Sequence, residues 1–87
     1  MFIKMLDIRV KFVAAELTVG LENGSYQAPE QTTVRELIAI CEAQCGSVVP
    51  EENFKLMYPL WNGKPVKLDT ALTQSGTLHL CRIVMGG

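Results

Sequence analysis

The sequence predicts an α+β domain in which one helix packs on one face of a mixed sheet of four or five strands. Apolar and charged residues alternate from Leu6 to Phe12, which is typical of a half-buried strand. One amphipathic segment, Thr33 to about Cys45, has helical spacing. The remaining apolar segments give the order strand, strand, helix, strand, short strand, strand. One helix can cover only one face of the sheet that these strands would form.

The second strand is predicted from Ser25 to Ala28, and Pro29 ends it because proline cannot donate a ladder hydrogen bond. Asn23-Gly24, directly before it, is expected to supply the positive φ angles of a tight turn. The stretch from Ala14 to Gly20 is compatible with either a loop or a short helical turn.

The helix has clear signals at both ends. Thr33 and Glu36 form a capping-box pattern, in which each side chain can bond the other residue's amide. Gly46 stands where a helix needs a left-handed residue to end. The apolar face of the helix consists of Val34, Leu37, Ile38, Cys41 and Cys45.

The second half of the chain contains three more strand segments. Phe54 to Trp61 is predicted as a strand with an unpaired or kinked position at Pro59. Asn62-Gly63 is expected to form a tight turn into the short return strand Lys64 to Val66. The last strand is predicted from Thr77 to Val84.

Composition and charge disfavour several classes of protein. Eighty-seven residues are enough for one domain with a modest core. The net charge is −1 without a run of basic residues, which argues against a nucleic-acid partner. Charges interrupt the apolar residues of Met1 to Asp7, so we expect neither a membrane segment nor a signal peptide. Three cysteines in such a chain indicate reduced thiols and a cytoplasmic protein.

The end of the chain resembles that of ubiquitin. Thr77-Leu78-His79-Leu80 is followed after four residues by Gly86-Gly87, at the spacing of ubiquitin's last strand and tail. Asn62 to Asp69 and Phe12 to Leu17 are more similar to the sulfur carriers, which include the small subunit of molybdopterin synthase and the thiamine-pathway carrier. The resemblance implies a ubiquitin-like β-grasp domain over residues 1–84 and a flexible tail over residues 85–87.

The resemblance also implies a function centred on the carboxylate of Gly87. A carboxylate at neutral pH is an anion and a poor electrophile, so it must first be activated. In these families an activating enzyme of the ubiquitin-activating kind uses ATP to adenylate the terminal glycine, and a sulfur donor then converts it to a thiocarboxylate. An acceptor enzyme takes the sulfur. The chain is therefore expected to be a carrier and not an enzyme, without a metal or cofactor of its own.

The expected tail is Met85, Gly86 and Gly87, entered through Val84. Four extended residues span at most about 13–14 Å, which is enough to reach a buried site in a partner. Glycine has no Cβ, so two glycines fit a narrow channel.

A docking surface for partners is predicted on the sheet. If Leu78 and Leu80 point into the core, then His79, Cys81 and Ile83 point outward. Leu60 matches by spacing the exposed apolar position on ubiquitin's binding face. Leu60, His79, Cys81 and Ile83 would then form a partner patch, since exposed apolar clusters mark interaction sites. Equally compatible is a face covered by residues 1–5 or by a second copy.

Other candidate sites are weaker. Cys41 and Cys45 share a helix face, but two thiols without further ligands are more typical of a core than of a metal site. His79 and Cys81 lack an orienting carboxylate, which disfavours nucleophilic catalysis. Three acidic residues are expected to be solvated surface charges: Glu42, Glu51 and Glu52.

Two alternative functions remain open. A ubiquitin-like modifier would form an amide between Gly87 and target lysines, although the tail Arg82 to Met85 is more apolar than that of ubiquitin. A binding module would use the sheet and never activate its terminus. For a sulfur carrier the acceptor pathway could involve molybdopterin, thiazole or tRNA, and the absence of proline from Arg82 to Met85 is unlike the molybdopterin branch.

Overall fold

A computed structural model describes residues 2–84. The predicted tail, Met85 to Gly87, lies outside the described residues. Five strands, one α-helix and two short 3₁₀ helices follow one another along the chain: β1 (Met5–Phe12), a 3₁₀ helix (Ala15–Leu17), β2 (Gly24–Pro29), α1 (Val34–Cys45), a 3₁₀ helix (Glu51–Leu56), β3 (Met57–Trp61), β4 (Lys64–Pro65) and β5 (Gly76–Arg82).

The strands form one mixed sheet in the order β2-β1-β5-β3-β4. The two strands nearest the ends of the chain, β1 and β5, are parallel neighbours, and the other three pairs are antiparallel. The last strand is therefore central and is bonded on both sides. This arrangement confirms the predicted mixed sheet with one main helix, at the upper end of the predicted strand count.

The core lies between α1 and one face of the sheet. Along β1 every second side chain is buried, and the intervening residues are exposed. Leu78 and Leu80 of β5 and Leu37 and Ile38 of α1 are at most 1% exposed. The period of two in the strands and of 3.6 in the helix thus brings both apolar stripes to one interface.

Both predicted ends of α1 are confirmed. The Thr33 hydroxyl accepts a bond from the Glu36 amide, and the Glu36 carboxylate accepts one from the Thr33 amide, at 3.1 and 2.9 Å. Gly46 ends the helix at a φ of 70°. The segment after β4 adds further partners, because the amides of Val34 and Arg35 donate to carbonyl groups of that segment. Little of the helix N-terminus is left unbonded.

One predicted turn is confirmed and the other is wrong. Asn62 and Gly63 adopt φ angles of 50° and 85° between β3 and β4. Asn23 and Gly24 do not adopt positive φ, and Gly24 instead begins β2 opposite Val10. The Asn23 side chain accepts a bond of 2.7 Å from the Phe12 amide.

The left-handed residue in the connection from β1 to β2 is Gly20, at a φ of 93°. A Cβ at this position would lie 2.1 Å from the Ser47 hydroxyl oxygen. Close approach of the two loops therefore also requires glycine here.

The third and last strands are shorter than predicted. Phe54 belongs to the second 3₁₀ helix, and β3 begins only at Met57. Pro59 lies within β3, where its carbonyl oxygen accepts from the Val66 amide on the side of β4. Because the amide and carbonyl of one strand residue point to the same side, the missing donor faces the short edge strand. The last strand, β5, ends at Arg82 instead of the predicted Val84.

The expectation that Glu42 is a solvated charge is wrong. Glu42 is only 8% exposed, and its carboxylate accepts a hydrogen bond of 2.6 Å from the Val49 amide. Arg35 lies 3.4 Å from the same carboxylate and 4.3 Å above the Phe54 ring centroid. Glu42 therefore ties the loop after α1 to the helix and is compensated by a basic neighbour.

Candidate functional site

The chain leaves the sheet at the end of β5, and the contacts there determine where the predicted tail begins. The Ile83 amide donates to the Leu56 carbonyl oxygen at 2.8 Å. On the other side, Arg82 Nη1 lies 2.7 Å from Glu16 Oε1. The hydrogen bond from Arg82 holds the pKa of the Glu16 carboxyl below its usual value. The end of β5 is thus held between the two 3₁₀ helices.

Beyond these contacts the described chain becomes exposed. Ile83 is 36% exposed and Val84 is 87% exposed. A valine in this state buries almost no apolar surface, so packing does not hold it to the domain. Met85, Gly86 and Gly87, which the sequence predicts to carry the chemistry, lie outside the described residues.

Three of the four residues predicted for the partner patch lie side by side on the sheet face opposite α1. Leu60 of β3 pairs directly with His79 of β5, and Cys81 follows two residues later on the same face. All three side chains are half-buried. Directly paired residues in adjacent strands have Cβ atoms about 4.5–5.5 Å apart, so these side chains form one surface.

Ile83 lies past the end of β5, at the edge of this surface and beside Leu56. Tyr58 was missed by sequence reasoning: it pairs with Cys81 and is 37% exposed. Its alternation with the buried Met57 and Pro59 could have identified it once the strand was known to begin at Met57. We call the four residues Tyr58, Leu60, His79 and Cys81 the outer patch.

The residues at the start of the chain do not cover this face. Phe2 and Ile3 are 103% and 67% exposed, so most of their surface stays open to solvent. Met5, the first residue of β1, is also largely exposed. Residues 2–5 therefore do not cover the outer face of the sheet, as the alternative with residues 1–5 would require.

The cysteines of α1 belong to the core. Cys41 is fully buried, and burial raises the pKa of its thiol to about 12. Cys45 lies 3.2 Å from the Tyr26 hydroxyl and accepts from the Glu22 amide. Within residues 2–84 there is no cluster of three or more metal-ligating side chains. The Cys41 thiol is thus packed in the core, and the Cys45 thiol is engaged in hydrogen bonds.

The two depressions of the described chain that are best defined lie away from the outer patch. They have volumes of about 350 Å³ each and lie beside the connection from β1 to β2, and neither is lined by a residue of the outer patch. Within the described part of the chain, no helix has the length and apolar character needed to cross a membrane. The outer patch is a partly exposed sheet face next to the exit of the chain, a geometry that suits contact with another macromolecule.

Comparison with known proteins identifies the fold. No family model matches the chain, and no curated protein matches it in sequence. The structure is similar to that of a protein designed on the basis of ubiquitin (22% identity, TM-score 0.61, covering 94% of this chain and 93% of that one). It is also similar to a Pyrococcus furiosus protein assigned as molybdopterin converting factor, subunit 1 (21% identity, TM-score 0.63, 91% and 99% covered).

A third solved structure, SAMP1 from Haloferax volcanii, gives a TM-score of 0.65 at 18% identity and covers 97% of this chain and 100% of that one. All three are similar over nearly their whole length, so the likeness describes the complete domain and not a shared fragment. The strand order, the single capped helix and these similarities together show that the chain has the ubiquitin-like β-grasp fold.

Proposed function

We propose that the chain is a sulfur carrier whose working group is the carboxylate of Gly87. The observation that carries the proposal is the position of β5, a central strand that ends at Arg82, with three residues between it and Gly86-Gly87 in the sequence. The last backbone contact of this end is at Ile83, and the four residues that follow it, fully extended, span at most about 13–14 Å. A tail of that length can enter a partner's buried site while the domain of residues 1–84 stays outside.

The proposed chemistry takes place on partners. In an activating enzyme the carboxylate of Gly87 attacks the α-phosphorus of ATP, pyrophosphate leaves, and an acyl-adenylate forms. A sulfur nucleophile then displaces AMP, so that sulfur replaces one oxygen in the thiocarboxylate. In an acceptor enzyme the sulfur bonds to the acceptor substrate, and water then cleaves the resulting thioester, which leaves sulfur on the substrate and returns the carboxylate. The chain itself supplies the reacting terminus and the surfaces that dock it.

Support for a carrier comes from two independent features. The P. furiosus structure, which has the same fold, bears the name of a molybdopterin converting factor subunit, and this name favours a carrier role. The exposed outer patch offers a docking face next to the tail exit. Leu60, His79 and Cys81 are the proposed centre of that face, with Ile83 at its edge.

Mass spectrometry tests the proposal directly. After co-expression with an adenylating enzyme of the same genome and a sulfur donor, we expect the intact chain to gain the mass of one oxygen exchanged for sulfur. A thiocarboxylate persists in water long enough to accumulate, which makes this product measurable. A chain with one alanine added after Gly87 is the matched control and is expected to remain unchanged.

The alternative function gives a different product. A protein modifier would appear joined to other proteins through isopeptide bonds, as a ladder of bands that resists thiol reductants. A ladder without the sulfur-exchanged mass would replace the sulfur carrier with a modifier, while the β-grasp fold would stand. A terminus that is never adenylated would favour the binding module.

Substitution of Leu60→Glu tests the docking face. A carboxylate at the centre of an apolar contact must be desolvated, so we expect KM for activation to rise about tenfold or more with little change in kcat. The matched control is Val48→Glu, which adds the same charge at a position that is 79% exposed and outside the sheet. Equal KM values for the two variants would remove Leu60 from the docking face.

A further inference from the structure

The outer face of the two central strands β1 and β5 carries two basic residues and one acidic residue. The exposed positions of β1 are Met5, Asp7, Arg9 and Lys11, and the neighbouring positions of β5 are Thr77 and His79. Arg9 and Lys11 are therefore basic, and Asp7 is the acidic residue among these six positions. The Asp7 carboxylate already accepts a bond of 3.0 Å from the Gln27 amide group.

Lys11 stands in line with the outer patch. It pairs with His79 across β1 and β5, and His79 pairs with Leu60 across β5 and β3. Two strand spacings separate Lys11 from Leu60, which places their Cα atoms roughly 10 Å apart. Arg9 lies one position further along the same face, opposite Thr77.

The two cations have no acidic partner within residues 2–84. Ion pairs in that range join Arg35 to Glu42 and Glu51 and join Arg82 to Glu16. These acidic residues belong to α1 and to the two 3₁₀ helices. A chain with a net charge of −1 thus carries a locally basic sheet face.

We infer that the outer face docks a protein partner whose surface is apolar at its centre and carries carboxylates opposite Arg9 and Lys11. The inference rests on the proposed function and adds the chemistry of the partner. Charge complementarity of this kind speeds encounter and orients the partners before apolar contact forms. The half-buried Leu60 and the exposed Tyr58 on the same face favour a protein over a nucleic acid, which would require a longer basic track.

Association kinetics test the inference. The probe is the adenylating enzyme that activates the wild-type chain, and the variants are Lys11→Glu and Arg9→Glu, alone and together. We expect the double variant to associate about tenfold more slowly at low salt, with a smaller difference as added salt screens the charges. The neutral variant Lys11→Gln is expected to fall between wild type and Lys11→Glu.

The matched control for each single variant is Lys67→Glu, which makes the same change of two units in net charge in the segment that packs against the start of α1. It is expected to associate nearly as fast as wild type. Thermal melting of every variant separates loss of docking from loss of folding.

The outcomes separate the two proposals. Normal activation of wild type together with equal association rates for the double variant and Lys67→Glu would overturn the partner chemistry and leave the sulfur carrier intact. A wild-type chain that no adenylating enzyme activates would overturn both. Tight binding of a fluorescent duplex oligonucleotide, abolished by the double variant while enzyme association is unchanged, would assign the basic face to nucleic acid instead.

Discussion

Deletion of Gly87 is expected to abolish adenylation while leaving the stability of the domain unchanged. The deletion moves the terminal carboxylate back by one residue, so the reacting group no longer reaches the α-phosphorus of bound ATP. Misplacement of a reacting group by a small distance is enough to remove most of the rate that positioning provides. Within residues 2–84 the buried core residues lie between Leu6 and Leu80, and glycine has no side chain to contribute to a core.

ATP–pyrophosphate exchange with the adenylating enzyme measures the first effect, and thermal melting measures the second. Substitution of Gly87→Ala is the companion variant, because it restores the length but adds a Cβ to the end of the tail. It is expected to retain part of the activity. Activation of the deleted chain at the wild-type rate, or a lowered melting temperature, would assign Gly87 a structural role instead.

Substitution of Leu37→Ala is expected to lower the stability of the domain while leaving adenylation nearly unchanged. Leu37 is fully buried at the centre of the contact between α1 and the sheet. Removing a buried leucine side chain costs about 2–5 kcal/mol, through lost apolar contact and the cavity left behind. In a domain of this size such a loss lowers the melting temperature by about 8 °C or more.

Urea denaturation gives the change in the free energy of unfolding for this variant. Leu37→Met nearly conserves volume and is expected to cost less than about 1.5 kcal/mol. Well below its melting temperature, Leu37→Ala is expected to be adenylated at close to the wild-type rate, because neither the tail nor the outer patch is changed. Loss of activation in a folded Leu37→Ala protein would show that the helix contributes to docking.

The helix and the first strand could be predicted from sequence because their signals are local. Thr33, Glu36 and Gly46 act within a few residues of their own positions, so a short window contains the whole interaction. The alternation from Leu6 to Phe12 is equally complete in one segment. In both elements local preference and tertiary burial agree, and the prediction was correct.

The errors fall where a distant residue decides the conformation. Gly20 takes positive φ beside Ser47, a residue of another loop, whereas Asn23-Gly24 has the stronger local signal and does not. Glu42 is buried because Val49 and Arg35 compensate its carboxylate, and no pattern near Glu42 indicates those contacts. Phe54 has a strand-like composition but packs from a 3₁₀ helix.

The outer patch was only partly predictable, because some of its contacts follow from local alternation and others depend on the pairing of distant strands. Alternation along β5 was enough to place His79 and Cys81 opposite the core. Their contact with Leu60 depends on the register between β3 and β5, which the sequence suggests only through the resemblance to ubiquitin. Tyr58 and the cations of β1 join the face through strand pairing alone, which single-sequence patterns do not reveal.

The parallel pairing of β1 with β5 also has a mechanical consequence. Tension applied to the C-terminal end acts along the axis of β5, which is bonded to β1 on one side and to β3 on the other. The two ladders are loaded in shear, so many hydrogen bonds must break together before the strand can slide. The rate of unfolding under force, rather than equilibrium stability, governs resistance to such a pull. The terminus can therefore be drawn taut while the domain behind it stays folded.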